Sequence, residues 1–207
     1  RDDLTTALVA AEVDGERLSS SEIASFFILL AIAGNETTRN AISHGVLALT
    51  RYPEQREIWW NDFGAHTPTA VEEIVRWASP VVYMRRTTTR DVEVGGVKIA
   101  AGDKVTMWYA SANRDEDKFD NPWMFDVTRN PNHHVGFGGG GTHFCLGANL
   151  ARREIAVVFE ELRNRIPDIS VSGNPAMLLS SFIHGIKTLP VSWTSPSRQE
   201  PLRQEPA

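Results

Sequence analysis

The chain has 207 residues, which is the size of one domain or at most two small ones. Its 42% hydrophobic and 23% charged residues are typical of a globular protein and argue against disorder, collagen-like repeats and a coiled coil. The net charge of −5 argues against binding to nucleic acid. A single cysteine, Cys145, excludes an internal disulfide and any multi-cysteine metal site, and leaves three roles open: a small buried residue, a nucleophile or a lone metal ligand.

The first elements are predicted to be helices. Residues 4–13 are typical of the end of a helix that stops at the Asp-Gly pair 14–15. Ser19 and Glu22 have the spacing of a capping box, which marks the start of a second helix. A helical pattern then continues to about Arg51, just before a proline.

The first half of this long helix, residues 26–33, is apolar on every side. Such a segment is expected to be buried all round. Too little chain precedes it to cover that surface, so we expect either that the rest of the chain folds around it or that an upstream half is missing.

The middle of the chain combines a helix with short strands. A helix is predicted over 69–78, a hairpin over 92–99 with a Gly-Gly turn, and another strand over 105–108. Residues 113–141 are rich in Asn, Asp, Pro and Gly, and we interpret them as a long ordered meander.

The last predicted helix follows Gly147 and extends to Ile166. Residues 169–193 are interpreted as short strands and a turn, and residues 195–207 as a disordered polar tail. The predicted fold class is therefore mainly α with small β-sheets, in one unit over residues 1–194.

The first candidate site lies inside the long helix, at residues 33–38. Here a carboxylate, Glu36, and the hydroxyl of Thr37 interrupt an apolar segment. One interpretation is a helix turn that reaches solvent, with Thr hydroxyls bonded back to the carbonyl four residues earlier. The other is a kinked helix whose Gly34 admits a ligand close to the backbone, with Glu36 and Thr37 handling protons.

Two further patterns follow along the chain. Glu73 and Arg76 are three residues apart and share a helix face, which by itself indicates only a surface ion pair. Residues 137–147 place four consecutive glycines and Cys145 directly before a helix, whose N-terminus favours a thiolate. This segment has three possible functions: a phosphate-binding loop, a cysteine hydrolase or a thiolate ligand to haem iron. The third uses all of its features, which are the close approach that glycines allow, an anionic sulfur and a cation for a haem propionate.

In this order, the patterns resemble the cytochrome P450 superfamily of haem-thiolate monooxygenases over residues 1–193. The resemblance rests on residues 33–38, Glu73 with Arg76, the meander with residues 113–115 and 125–129, and the cysteine loop. It implies the C-terminal portion of that fold: a long central helix, the Glu-x-x-Arg helix, β-hairpins, the meander, the cysteine loop and the following helix. Family chains are about twice as long, so we expect the N-terminal half to be absent and this chain alone not to bind haem stably.

The resemblance also assigns roles to individual residues. Cys145 becomes the iron ligand, Glu36 and Thr37 the pair that delivers protons, and Glu73, Arg76 and Arg129 a buried structural triad. The implied contacts to haem b are Cys145, His143, Arg86, Phe137, Gly138, Gly141, Gly147, Ala33 and Gly34. One departure concerns Phe137, which lies eight residues before the cysteine; the family places this aromatic seven before, where Gly138 stands.

The chain is most similar to an actinobacterial subgroup of this superfamily. The similarity rests on the spacing of Phe137 and Cys145 in the cysteine loop and on residues 80–86, 111–115 and 182–187. Members of this subgroup hydroxylate methyl-branched lipids at the chain end, and close relatives act on cholesterol side chains. The implied substrate wall comprises Ile28, Ala31, Ile32, Val81, Val82 and Phe182.

The expected function is thus ω-hydroxylation of a lipid with O₂, in the cytoplasm, by an enzyme that is a monomer when complete. Electrons would come from NAD(P)H through a reductase and a ferredoxin-type partner, which Arg152 and Arg153 could meet unless they are simply a solvated helix face. The alternatives are a sterol side-chain hydroxylase, a non-catalytic haem-binding protein and a cysteine hydrolase.

Overall fold

The computed structural model describes residues 3–194, so the tail predicted for 195–207 lies outside the described residues. Over this range the fold is mainly α with small two-stranded antiparallel sheets, which confirms the predicted class. No helix in this part of the chain is both long enough and apolar enough to cross a membrane.

The N-terminal segment differs from the prediction. Helix α1 spans Leu4–Ala10 and is followed by a small hairpin of β1, Glu12–Val13, and β2, Glu16–Arg17. The prediction of one helix over residues 4–13 was therefore wrong at its end. Asp14 and Gly15 both have positive φ, which forms a two-residue turn that pairs the flanking residues as strands.

Helix α2 spans Ser20–Arg51, as predicted. The Ser19 side chain accepts from the Glu22 backbone N–H, and the Glu22 carboxylate accepts from the Ser19 N–H, so the capping box is confirmed. Two of the orphan donors at the helix start are thereby satisfied.

Burial of α2 is uneven, and the first of the two expectations for its apolar first half, that the rest of the chain folds around it, is not met within the described residues. Ile28 and Ile32 are 62% and 65% exposed, and the buried residues of the helix begin at Thr38. The reason is that the described chain packs helices only against the second half of α2, where α4 (Phe63–Ala78) and α6 (Ala148–Arg165) contact it.

Two helices follow α2 directly. Helix α3 spans Pro53–Asn61 and was not predicted, because Pro53 was interpreted only as a stop; it occupies the first helical position, where proline is favoured. Helix α4 spans Phe63–Ala78 and begins six residues before the predicted start, with the Asp62 side chain as its cap. Ser79 ends it in the left-handed conformation.

The remaining elements largely follow the predicted order. The predicted hairpin is confirmed, as is the strand over 105–108, which pairs with an unpredicted strand, Tyr83–Thr87. A short helix, α5, precedes the long segment 113–147, which contains no helix or strand. The bounds are β3 Tyr83–Thr87, β4 Val92–Val94, β5 Val97–Ile99, β6 Lys104–Trp108, α5 Tyr109–Ala112, α6 Ala148–Arg165, β7 Ser170–Val171, β8 Ala176–Met177, β9 Ile186–Thr188 and β10 Val191–Ser192.

The core lies between the second half of α2, α4 and α6. Ile74 of α4 and Phe159 of α6 are fully buried there, and both approach Gly45 of α2. A Cβ at Gly45 would lie 2.7 Å from Phe159 Cζ, so the two helices are in close contact at this point. This packing fixes α4, which carries Glu73 and Arg76, against α6, which follows the cysteine loop.

Candidate functional site

The cysteine loop is folded back on itself by backbone hydrogen bonds. The Cys145 N–H donates to the Phe137 carbonyl at 3.0 Å, and the Phe144 N–H donates to the Gly141 carbonyl at 3.0 Å. Helix α6 begins three residues after Cys145, and the Cys145 side chain is exposed. The thiol is thus held at the start of a helix and open to a ligand.

The glycines give the loop its shape and leave space beside it. Gly138, Gly140 and Gly141 have φ values of +95°, +95° and +76°, a conformation that other residues rarely adopt. A Cβ added at Gly139, Gly140, Gly141 or Gly147 would meet no atom within 4 Å. A large flat group could therefore approach the backbone closely.

Glu73 and Arg76 form a fully buried ion pair rather than a surface one. Arg76 Nε and Nη2 donate to the two carboxylate oxygens of Glu73, both at 2.7 Å. The carboxylate also accepts from Arg129 Nε at 3.1 Å and from the Asp126 N–H at 2.9 Å. A buried carboxylate requires several such hydrogen-bond donors, because burial of an unpaired carboxylate is strongly disfavoured.

The two arginines tie the meander to α4. Arg76 Nη1 donates to the carbonyls of Asn113 and Pro122, at 2.8 and 2.9 Å. Arg129 donates to the carbonyls of Asp120, Asn121 and Met124. The predicted triad therefore lies together, and it satisfies backbone oxygens of a segment that has no sheet or helix partner.

Residues 33–38 of α2 have the geometry of a helix turn that reaches solvent, the first of the two interpretations. The Thr37 hydroxyl donates to the Ala33 carbonyl at 2.7 Å, and the half-exposed Glu36 pairs with Arg39 at 2.6 Å. The helix is continuous here, and a Cβ at Gly34 would meet nothing within 4 Å. Both proton-bearing groups lie on an open surface of the described chain.

Part of the predicted substrate wall is assembled. The Val82 N–H donates to the Phe182 carbonyl at 2.9 Å, and Val81 forms a bridge with Ile183. Phe182 is 41% exposed. The remaining members, Ile28, Ala31 and Ile32, lie on the exposed first half of α2.

The two cations predicted to pair with haem propionates, His143 and Arg86, differ in their position relative to the cysteine loop. His143 is exposed within the cysteine loop, whereas Arg86 lies on β3 and donates to the Arg85 carbonyl at 3.0 Å. Over residues 3–194, no hydrogen bond connects Arg86 with the cysteine loop.

A cluster around Glu72 was missed. Its carboxylate binds Arg152 through two hydrogen bonds and His134 at 2.9 Å. Burial alone would raise the pKa of Glu72, but the hydrogen bonds from His134 and Arg152 outweigh it and lower the pKa to about 2. The one available signal was the position of Glu72 next to Glu73; its partners are 62 and 80 residues away.

Arg152 was interpreted as a cation that could meet a redox partner, but in the structure it is paired with Glu72. Its guanidinium binds Glu72 and lies 4.5 Å from the centre of the Phe137 ring. Arg153, by contrast, is exposed.

A pair of histidines, buried His44 and partly buried His184, was also missed. His44 Nε2 donates to the His184 carbonyl at 3.2 Å, and the two rings are 4.2 Å apart. Burial lowers the pKa of His44 to about 4, and the charge of His184 adds to this effect. His184 in turn donates from Nδ1 to the Ala78 carbonyl, which ties residues 182–185 to the end of α4.

The donor set fits a haem iron better than a protein-only metal site. Among the described residues, no three His, Cys, Asp or Glu side chains are grouped to hold a metal ion. Cys145 could therefore hold a metal only if other ligands come with it, as in a porphyrin. The open space beside the glycines and the exposed apolar side chains of Phe144 and Leu146 suit such a flat group.

Comparisons with known proteins agree with a haem-iron site at Cys145. The cytochrome P450 family profile matches residues 66–163. The methyl-branched lipid omega-hydroxylase of Mycobacterium tuberculosis is 74% identical over 193 residues, which are 93% of this chain and 45% of that protein. The steroid C26-monooxygenase of Rhodococcus jostii is 50% identical over 98% of this chain and 42% of that protein.

The fold comparison gives the same result. A cytochrome P450 of Mycobacterium marinum, solved in complex with pseudoionone, superposes with a TM-score of 0.90 and 53% identity, over 93% of this chain and 46% of that one. The chain spans about half the length of the curated relatives it matches, in their C-terminal part. Over the matched residues the chain corresponds to the C-terminal part of cytochrome P450 proteins, a family whose members hold a haem-iron cofactor.

Proposed function

We propose that the chain forms the haem-thiolate part of a monooxygenase that hydroxylates the terminal carbon of a methyl-branched lipid. The observation that carries this proposal is Cys145: an exposed thiol, held by the Phe137 carbonyl in a loop of glycines at the start of α6. The substrate class is supported by the 74% identity to methyl-branched lipid omega-hydroxylases.

The cofactor is proposed to be haem b, with Cys145 as its protein ligand. When bound, haem supplies oxygen activation, and a thiolate ligand favours cleavage of the O–O bond. Gly138, Gly141 and Gly147 would let the loop backbone approach the haem, and Ala33 and Gly34 would do so from α2. His143 and Arg86 would pair with the propionates, which requires the exposed Arg86 side chain to leave the Arg85 carbonyl.

Glu36 and Thr37 are proposed to carry protons to the reaction. The Thr37 hydroxyl hydrogen is donated to the Ala33 carbonyl, so its oxygen is free to accept a proton-bearing donor. Glu36 is half exposed and can exchange protons with solvent when it leaves Arg39. The pair thus combines a carboxylate that can reach solvent with a hydroxyl whose oxygen can accept a hydrogen bond.

Glu73, Arg76 and Arg129 act structurally in this proposal. Their buried network holds the meander, and with it the entry to the cysteine loop, against α4. They touch neither substrate nor cofactor.

The lipid chain is proposed to contact Val81, Val82 and Phe182 together with Ile28, Ala31 and Ile32. These side chains are apolar and partly or fully exposed, as a surface that receives an alkyl chain must be. A sterol side chain is the second candidate, because the steroid C26-monooxygenase is 50% identical.

The electrons are proposed to come from NAD(P)H through a reductase and a ferredoxin-type carrier. Arg153 is an exposed cation near the start of α6 that could contact an acidic carrier, because Arg152 is already paired with Glu72.

Product analysis tests the proposed function. We would replace the matching segment of the Mycobacterium tuberculosis relative with the 193 matched residues of this chain, and call the product the chimaera. With a redox chain, the chimaera is expected to convert a methyl-branched fatty acid to its ω-alcohol, faster than a straight-chain acid. Cys145→Ala should abolish this product. A chimaera that binds haem but oxidises only a sterol side chain would favour the second candidate, and one that oxidises neither would contradict the proposal.

A further inference from the structure

Two consecutive glutamates of α4 hold two different segments. Glu73 binds Arg129 and the Asp126 N–H of the meander. Glu72 binds His134, just before the cysteine loop, and Arg152 of α6, just after it. The second carboxylate thus joins both ends of the loop that carries Cys145.

The hydrogen bonds of His134 define its orientation. The Gly136 N–H donates to His134 Nδ1 at 3.0 Å, so the ring proton is on Nε2, which donates to Glu72 at 2.9 Å. The His134 side chain is only 3% exposed. A Cβ at Gly136 would lie 2.6 Å from Val75 Cγ1, so the loop is pressed directly against α4 at this position.

Arg152 connects the cluster to the cysteine. Its guanidinium lies over the Phe137 ring at 4.5 Å, and the Phe137 carbonyl accepts the Cys145 N–H at 3.0 Å. The hydrogen bond to Glu72 raises the pKa of Arg152, so the guanidinium is held in its charged form. Phe137 is therefore fixed by its ring on one side and bonded to the cysteine through its backbone on the other.

We propose that Glu72, His134 and Arg152 are positioning residues for Cys145: they fix Phe137 and hold a balanced pair of charges against the cysteine loop. This rests on the proposed haem-thiolate function. The Glu72–Arg152 pair has no net charge, so the electron density of the thiolate is set without a bias from either ion. Removal of either charge alone would therefore shift the reduction potential of the haem iron.

The charges make opposite predictions for the two partners. A lone cation beside the thiolate stabilises the reduced, more negative state, and a lone carboxylate destabilises it. Glu72→Gln leaves Arg152 unpaired, so the midpoint potential should rise. Arg152→Gln leaves Glu72 unpaired, so the potential should fall. Glu72→Gln combined with Arg152→Gln should return it close to the wild-type value.

The experiment is spectroelectrochemical titration of the haem-loaded chimaera and these three variants. Glu161→Gln and Arg165→Gln are the matched controls, because they remove the same charges from an exposed ion pair at the other end of α6. Shifts of opposite sign that exceed those of the controls support the inference. Shifts of the same sign, or none beyond the controls, would overturn it, since a purely structural support gives no dependence on the sign of the charge.

Loss of haem in a variant is informative as well. If the double variant binds haem and neither single variant does, the result supports a role for the balance of the two charges. A wild-type midpoint potential in Arg152→Lys, which keeps the positive charge, supports it as well. Loss of haem from all of these variants would show that the cluster only supports the loop and would overturn the inference. A wild-type chimaera without a thiolate-ligated haem would instead contradict the proposed function.

Discussion

Glu73 shows how residue-scale chemistry organises a segment without regular structure. Its carboxylate is fully buried and accepts hydrogen bonds from Arg76, Arg129, Asn132 and the Asp126 backbone. The sequence spacing of Glu73 and Arg76 indicated a shared helix face, but not burial. Burial depends on the meander, whose carbonyls accept from Arg76 and lie 37 to 48 residues after it in the chain.

Glu73→Gln should destabilise the protein strongly. The substitution leaves two buried guanidinium groups without their counter-charge, which is expected to lower the free energy of unfolding by about 3–5 kcal/mol. Urea unfolding followed by circular dichroism measures the loss. The control is Glu161→Gln in the exposed pair with Arg165, where a change of at most about 0.5 kcal/mol is expected. Equal effects of the two substitutions would contradict the assigned role.

His44 predicts a pH dependence of stability. The unfolded chain binds a proton at His44 below about pH 6.5, whereas the folded chain binds it only below about pH 4. The contribution to stability is therefore fully present above pH 6.5 and is lost as the pH falls to 4, by up to about 3 kcal/mol.

Urea unfolding of wild type and His44→Gln between pH 7 and pH 4 tests this dependence. The variant should lose less stability across this window than the wild type does. His133→Gln is the control, because His133 is exposed and its removal should leave the pH dependence unchanged. A wild-type slope retained in His44→Gln would count against the prediction.

At the scale of elements, α2 has two different halves. The N-terminal half exposes Ile28 and Ile32, and the C-terminal half packs against α4 and α6. Its capping box and length could be predicted, because both are local properties of the sequence. Its burial could not, because the partners of each half are set by long-range packing.

Two glycines of α2 report this difference directly. Gly45→Ala places a Cβ 2.7 Å from Phe159 Cζ and 3.1 Å from Ile74 Cδ1, so it should destabilise the protein by about 1–3 kcal/mol. Gly34→Ala places a Cβ in open space and should stabilise the helix by about 1 kcal/mol. The two changes in unfolding free energy, measured in urea, should thus have opposite signs; the same sign at both positions would contradict the packing described here.

Other elements show where local signals end. The Gly-Gly hairpin was predicted because its turn chemistry is local, whereas α3 was missed because a proline can either end a helix or begin one. Strand β3 was missed because its pairing with β6 joins residues about twenty positions apart. The Glu72 cluster was missed for the same reason, since its three members come from α4, the cysteine loop region and α6.

At the scale of the whole molecule, the fold brings one exposed thiol to the start of a helix and braces the loop from both ends. The family could be inferred from motifs in order, because each motif has a distinct chemistry. The contacts of Phe137 could not, since the loop departs from the family spacing. Its ring lies under Arg152, and its carbonyl accepts the Cys145 N–H.

The most direct test of the central claim, that Cys145 is the haem ligand, is the spectrum of the reduced, carbon-monoxide-bound chimaera. The wild type should show the long-wavelength band of a thiolate-ligated haem, and Cys145→Ala should lack it. Glu161→Gln, which removes one charge from the exposed ion pair with Arg165, should keep the band. Absence of the band in the wild type, or its persistence in Cys145→Ala, would contradict the claim.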